Sequence, residues 1–239
     1  MHCIKPLVYL FVSFTLIITH ASCGHTAERE QEVIRISEGK AGMIAYGPLT
    51  SGDDLEVQLG RPYKGPFRQI YLRGYQRFWS AMFPNDLSHP PAGHVIACTE
   101  DGDTLVPESI VALNIEEAGG KQMNCFFFIL DESDLARMDS LKKSYQRFDV
   151  SDSIVEFRAV GGPVYAYRAK PNYHKRPEEG RADMNVIPKR YLMFFIDAFR
   201  NLGEDYQREF RESSEHYMED LVLDCHIADV EADEPSSTR

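Results

Sequence analysis

An α+β domain is the fold class this chain predicts, and three observations carry it. Apolar or alternating stretches of strand length recur between residues 41 and 169. Two amphipathic stretches follow, at about residues 188–202 and 204–218. The length of 239 residues, 43% of them hydrophobic, supports one sizeable core with appendages rather than two domains.

The N-terminus reads as an export signal over residues 1–23. Lys5 lies in a short polar start, an apolar run covers residues 6–19, and the small residues Ala21 and Ser22 precede Cys23. The order Ala21-Ser22-Cys23-Gly24 resembles a bacterial lipoprotein box, with His20 where an aliphatic residue is usual. The expectation is lipidation of Cys23 and attachment to a membrane of the bacterial cell envelope by acyl burial. Ordinary secretion with cleavage near Ala21 or Ser22 is the alternative. Residues 24–39 are polar and charge-mixed, the composition of a tether.

The domain is expected over residues 40–226. A strand at 41–46 runs into Gly47-Pro48, and Asp53 or Asp54 then caps a short helix ending at Gly60. Strands are expected at 69–79 and 94–98, with a Pro- and Asn-containing loop at 83–91 between them. Segments 109–115 and 123–130 read as two strands joined by a turn at Gly119-Gly120. A helix starts at residues 131–134, turns Leu135, Met138 and Leu141 to one face, and ends near Lys143, which places Lys142 at its C-terminus. Strands at 145–149, 154–159 and 164–169 follow. Residues 174–185 form a polar loop, read as a flap or a solvated insertion. Pro188 opens a helix in which Tyr191, Phe195, Ala198 and Phe199 share a face. Gly203 interrupts it, a last helix covers about 204–218, and residues 227–239 form an acidic tail expected to be disordered.

A formal charge of -11, without any basic stripe interleaved with aromatics, disfavours nucleic acid as a partner. With Cys3 removed and Cys23 lipidated, Cys98, Cys125 and Cys225 remain. Their spacings fit no metal-ligand pair, so no metal is expected, at most one disulfide can form, and each is read as a small buried hydrophobe.

Several short motifs fall in a telling order: Tyr46-Gly47-Pro48-Leu49, Leu113-Asn114-Ile115 followed by Gly119-Gly120, Asp139 with Tyr145 and Arg147, Tyr165-Ala166-Tyr167, Ile187-Pro188 with Tyr191, and Gly203 with Tyr206. Together, over residues 41–214, they resemble the γ-glutamylcyclotransferase-like (AIG2-like) family. That family reads Tyr-Gly-Ser-Asn or Tyr-Gly-Thr-Leu after its first strand and Leu-Asp-x-x-Glu-Gly-x-Tyr-x-Arg at its active site. The resemblance implies a small mixed β-barrel with flanking helices and a cavity at its mouth. It also implies that Tyr46, Gly47, Pro48, Leu49, Asp139, Tyr145 and Tyr167 surround a small γ-glutamyl-type ligand. No cofactor is implied.

In the family's reaction the α-amine of a γ-glutamyl compound attacks its own γ-carbonyl and releases 5-oxoproline. The general base is the motif's Glu, and this chain has Lys142 there, with Lys143 at the Gly. An ammonium accepts no proton, and it repels the substrate's own ammonium. Three readings of Lys142 stand open: a base with a depressed pKa, a solvated residue at a helix C-terminus, or a group that turns the pocket toward an anionic ligand. Asp139 is either a substitute acid, as is Glu132, or an ion-pair partner of Lys142 one helical turn away. Arg147 reads as a carboxylate clamp or an exposed strand residue. Pro48 removes a backbone donor from the loop.

Three functions therefore compete. The leading one is a ligand-binding protein whose cyclotransferase chemistry is lost or altered. The others are an active cyclotransferase using a substitute acid, and an envelope interaction module presenting Tyr71, Tyr75, Phe78 and Trp79.

Overall fold

The computed structural model describes residues 31–49, 51–86, 95–99, 101–178, 180–181 and 183–227. The export segment with Cys23, the first part of the expected tether and the tail from residue 228 lie outside the described residues. The strands are β1 (Glu32–Arg35), β2 (Lys40–Ala45), β3 (Phe67–Pro84), β4 (Val95–Cys98), β5 (Thr104–Leu105), β6 (Ser109–Asp131), β7 (Tyr145–Asp149), β8 (Phe157–Val160), β9 (Val164–Ala169), β10 (Asn185–Pro188) and β11 (Val222–Ile227). The helices are α1 (Gly52–Leu59), α2 (Glu132–Leu141), α3 (Lys189–Arg200) and α4 (Gly203–Glu212).

Nine strands form one mixed sheet in the order β5-β4-β11-β10-β6-β2-β9-β7, with β3 paired to β6, while β1 and β8 form a separate parallel pair. The architecture is α+β, a mixed sheet with flanking helices. The hydrogen-bonded path does not close on itself among the described residues, so the sheet is open where a barrel was expected.

Its backbone is β6, 23 residues long, which joins the two strands expected at 109–115 and 123–130 into one. Gly119 and Gly120 do not turn the chain, because β3 follows β6 antiparallel on both sides of them. Arg73 faces Gln122 and Tyr75 faces Glu117, so the glycines absorb a bulge opposite Gly74. Gly74 and Gly120 both take positive φ, at 82° and 74°, which lets the strands bend there without leaving the ladder. On its other edge, β6 pairs with β10 at Ser109 and Ile110 and with β2 from Phe126 to Asp131.

Three further corrections concern the ends of elements. Ser51, not Asp53 or Asp54, caps α1; its hydroxyl accepts from Asp54 N–H while Asp54 accepts from Ser51 N–H, a reciprocal box. The expected tether contains β1, and Ile36 is buried in the core, so charge mixing concealed an ordered strand that pairs with β8 and carries the exposed Glu32–Arg68 ion pair at 2.7 Å. The last helix stops at Glu212, and the chain then returns as β11 to pair with β4 and β10.

The core centres on β2, β3 and β6, with Met43, Leu55, Ile70, Leu72, Phe127 and Phe128 almost fully buried. Phe127 packs edge-on against Phe157 at 4.8 Å between centroids. Gly42 permits this: a Cβ there would sit 2.6 Å from the Phe127 ring and 2.9 Å from Val164. Trp79 is buried against Tyr191, Phe195 and Tyr217, and Tyr71 is half-buried with its hydroxyl on Glu209. Phe78 is half-buried beneath the Arg176 guanidinium, and Tyr75 packs on Phe148. The patch expected at Tyr71, Tyr75, Phe78 and Trp79 is therefore not an exposed one. Of the three cysteines described, all free, Cys125 is buried. Cys98 stands opposite Asp224 and Cys225 opposite Ala97, which turns the two thiols to opposite faces of the sheet.

Candidate functional site

Five elements converge on one cavity of about 190 Å³. The loop leaving β2 supplies Tyr46, Gly47, Pro48 and Leu49, the C-cap of α2 supplies Lys142, β7 supplies Tyr145, β9 supplies Tyr167, and α3 supplies Tyr191. Lys142 and every residue that the resemblance placed around the ligand except Asp139 line this cavity. Tyr191 was expected only on the buried face of its helix, since an aromatic at helical spacing carries no mark of lining a cavity.

Hydrogen bonds fix the walls. Tyr46 donates its hydroxyl to the Tyr167 carbonyl at 2.8 Å, tying the β2 loop to β9. Tyr145 donates to the Leu113 carbonyl at 3.1 Å, and the Tyr191 hydroxyl lies against the same backbone. Burial pushes the phenols of Tyr46, Tyr145, Tyr167 and Tyr191 well above the ordinary tyrosine range, so all are neutral at physiological pH. Among the described residues, the N–H groups of Gly47 and Leu49 have no acceptor, and Pro48 between them has no N–H.

The loop is anchored from below by a residue not singled out in the sequence. Arg77 is fully buried and donates from Nε to the Tyr46 carbonyl at 2.6 Å, from one Nη to Ser213 Oγ at 2.7 Å, and from the other to Asn124. Its guanidinium also stacks over Phe210, 4.2 Å from the ring centroid. Burial lowers its pKa, yet a guanidinium remains charged at any physiological pH. The signal was available: Arg77 falls in phase with the buried Trp79, Ala81 and Phe83 along β3.

Among the described residues, Lys142 is the only ionisable one on the cavity lining apart from the tyrosines, and no Asp or Glu lines it. Its Nζ lies 5.9 Å from the centre of the Tyr167 ring. Among the described residues it has no carboxylate and no hydrogen-bond acceptor, and burial lowers its pKa. This differs from a lysine solvated at a helix end.

The candidate substitute acids are placed elsewhere. Asp139 does not pair with Lys142; it accepts the Tyr167 hydroxyl at 2.7 Å and the Arg147 guanidinium at 3.0 Å, from outside the cavity wall. Arg147 thus clamps a carboxylate of the protein itself. Asp131 caps α2, Asp134 pairs with Arg61, and Glu132 is exposed beside a different, more open depression. Glu116 is held by Ser80, His174 and Arg176. The latter two contacts pin the loop that was expected to be a flap or solvated. Among the described residues, no group of three or more His, Cys, Asp or Glu stands in metal-binding proximity.

No family model and no curated protein matches the chain. Solved structures do. One described as a gamma-glutamyl cyclotransferase is 13% identical, covers 74% of this chain and 90% of its own, and has a TM-score of 0.45. An uncharacterized protein from Homo sapiens is 13% identical, with 75% and 92% coverage and a TM-score of 0.44. A solution structure from Arabidopsis thaliana is 14% identical, with 68% and 81% coverage and a TM-score of 0.35. The solved structures to which this chain is similar thus include a member of the family its motifs resemble, and at these values the likeness concerns fold and carries nothing about activity.

Proposed function

We propose that the protein binds a γ-glutamyl or other small anionic ligand in the Tyr46–Lys142 cavity and that cyclotransferase chemistry there is lost or altered. One observation carries this reading: among the described residues, the cavity has an amine without a counter-ion and no carboxylate on its lining. Cyclotransfer needs a group that takes a proton from the substrate's α-amine and returns one to the leaving amine. Lys142 as an ammonium has no lone pair with which to take that proton, and Asp139 is committed to Arg147 and Tyr167. A ligand carboxylate, by contrast, gives Lys142 the partner it lacks, and the Gly47 and Leu49 N–H groups supply further donors for an anion. The buried phenols are neutral and place no negative charge against such a ligand.

Export and lipid attachment at Cys23 belong to the same proposal, supported by the sequence of residues 1–23 alone. Mass spectrometry of the mature N-terminus tests it; an unmodified start on either side of Cys23 is incompatible with a lipoprotein.

The chemical part is tested by assaying 5-oxoproline release from a panel of γ-glutamyl amines and dipeptides with the full-length protein and its Lys142→Glu variant. The expected result is no product from the wild type. Product from Lys142→Glu alone would identify the missing base as the lesion. Product from the wild type at enzymatic rates would overturn the proposal and favour a substitute acid.

A further inference from the structure

We infer that the cavity selects short carboxylates that carry no amino group, with Lys142 as the residue that turns α-amino acids away, an inference that rests on reading the cavity as an anion site. Lys142 Nζ lies 5.9 Å from the centroid of the Tyr167 ring, a cation–π contact that an ammonium makes and a free amine does not. The Tyr167 hydroxyl is held by Asp139 at 2.7 Å, and Asp139 by Arg147 at 3.0 Å, so the nearest carboxylate in sequence is engaged outside the wall. Among the described residues, the lining therefore offers one positive charge at Lys142, the Gly47 and Leu49 N–H groups, and no negative charge.

An α-amino acid brings both signs of charge together. Two bonds separate its nitrogen from its carboxyl carbon, a distance of about 2.5 Å, so a carboxylate seated on Lys142 takes the α-ammonium in with it. That ammonium meets Lys142 as a like charge. The side chains left to receive it are neutral: the Gln58 amide on α1, and phenols whose hydroxyls already donate to the Tyr167 and Leu113 carbonyls and to Asp139. An amide or phenol oxygen accepts a hydrogen bond but supplies no counter-charge, and an uncompensated ammonium is costly to desolvate. A cavity of about 190 Å³, below the range of about 300–1,000 Å³ typical of drug-sized ligands, has no distant corner in which to place it. Met43, Leu49, Leu113, Phe128 and Met138 complete an apolar wall for a short carbon chain, and Gln58 suits an uncharged polar end. The class that fits is a short carboxylate with an uncharged remainder, such as the half-amide of a dicarboxylic acid. Among anionic ligands this disfavours γ-glutamyl compounds that keep a free α-amine, and repulsion of that amine sets the preference.

The test titrates the full-length protein at pH 7 by calorimetry with two matched pairs, glutaramate against L-glutamine and propionate against L-alanine, whose members differ only by the α-amine. The wild type is expected to bind the member without the amine at least tenfold more tightly in each pair. Lys142→Met should narrow the ratio, and Lys142→Glu, which replaces the repelling charge with an attracting one, should invert it. The wild-type ratio needs no variant, so a substitution that fails to fold leaves the comparison intact. Equal binding within the pairs, or a preference for the amino acids, would refute the selectivity; if both members still weaken in Lys142→Met, the anion site stands without it. A preference that persists unchanged in a folded Lys142→Met would refute Lys142 as its source. If no member of either pair binds the wild type, the anion site itself is refuted and this inference falls with it.

Discussion

Replacing Arg77 with Met tests whether the cavity loop is held by a buried guanidinium. Arg77 joins three segments: the loop after β2 through the Tyr46 carbonyl, β6 through Asn124, and the turn after α4 through Ser213. Methionine fills similar space but leaves the Tyr46 and Asn124 carbonyls buried without their side-chain donor. Each such loss costs about 1–3 kcal/mol, and the lost stacking on Phe210 adds about 0.5–2 kcal/mol. Relief from burying a charge opposes these terms, since among the described residues Arg77 has no carboxylate partner and burial lowers its pKa. The net expectation is a destabilisation of about 3 kcal/mol. With a urea m-value of about 2–3 kcal/mol/M, the midpoint falls by about 1–1.5 M at unchanged m. Arg77→Lys, which keeps charge but not the planar fork, should lose roughly half as much. A midpoint unmoved by Arg77→Met would refute the claim that this network holds the loop.

Three other perturbations follow from the same geometry. Tyr46→Phe removes a buried 2.8 Å hydrogen bond to the Tyr167 carbonyl; a loss of about 1–2 kcal/mol, or about 2–8 °C in melting temperature, is expected by calorimetry. Gly42→Ala drives a methyl group to within 2.6 Å of the Phe127 ring, and urea unfolding should show a cost of about 1–3 kcal/mol. For Lys142, burial holds the folded-state pKa below that of the unfolded chain, so unfolding takes up protons between the two values. The penalty of the desolvated ammonium is complete below the folded-state pKa and fades as pH rises toward about 10.4. Wild type should therefore gain stability relative to Lys142→Met on raising pH through that window, and a pH-independent difference would contradict a desolvated amine.

What the sequence revealed depended on whether the deciding contact was local. Tyr46, Gly47, Lys142, Tyr145 and Tyr167 stand in short motifs at element ends, and the fold brings all five to one cavity. The α2 boundaries were legible because Asp131 and the apolar spacing of Leu135 and Met138 are local signals. Asp139 was misplaced because spacing along α2 offers Lys142 as a partner, whereas β7 brings Arg147 closer. Gly119-Gly120 read as a turn because nothing local states that β3 pairs on both sides of it. Strands β1 and β11 carry Glu, Arg, Asp and His among their apolar residues, and only pairing with β8, β4 and β10 shows them as strands.

Calorimetric titration of the full-length protein with small γ-glutamyl compounds and other small carboxylates, beside Lys142→Met, addresses the central claim most directly. Saturable binding by the wild type is predicted, weakened about tenfold or more in Lys142→Met, as loss of a charge-assisted hydrogen bond of about 1.5–3 kcal/mol requires. The binding enthalpy should also vary with the buffer, since pairing with an anion restores the proton that burial disfavours. Equal affinity in the two proteins, or no binding of any carboxylate by the wild type, would contradict an anion site built on Lys142.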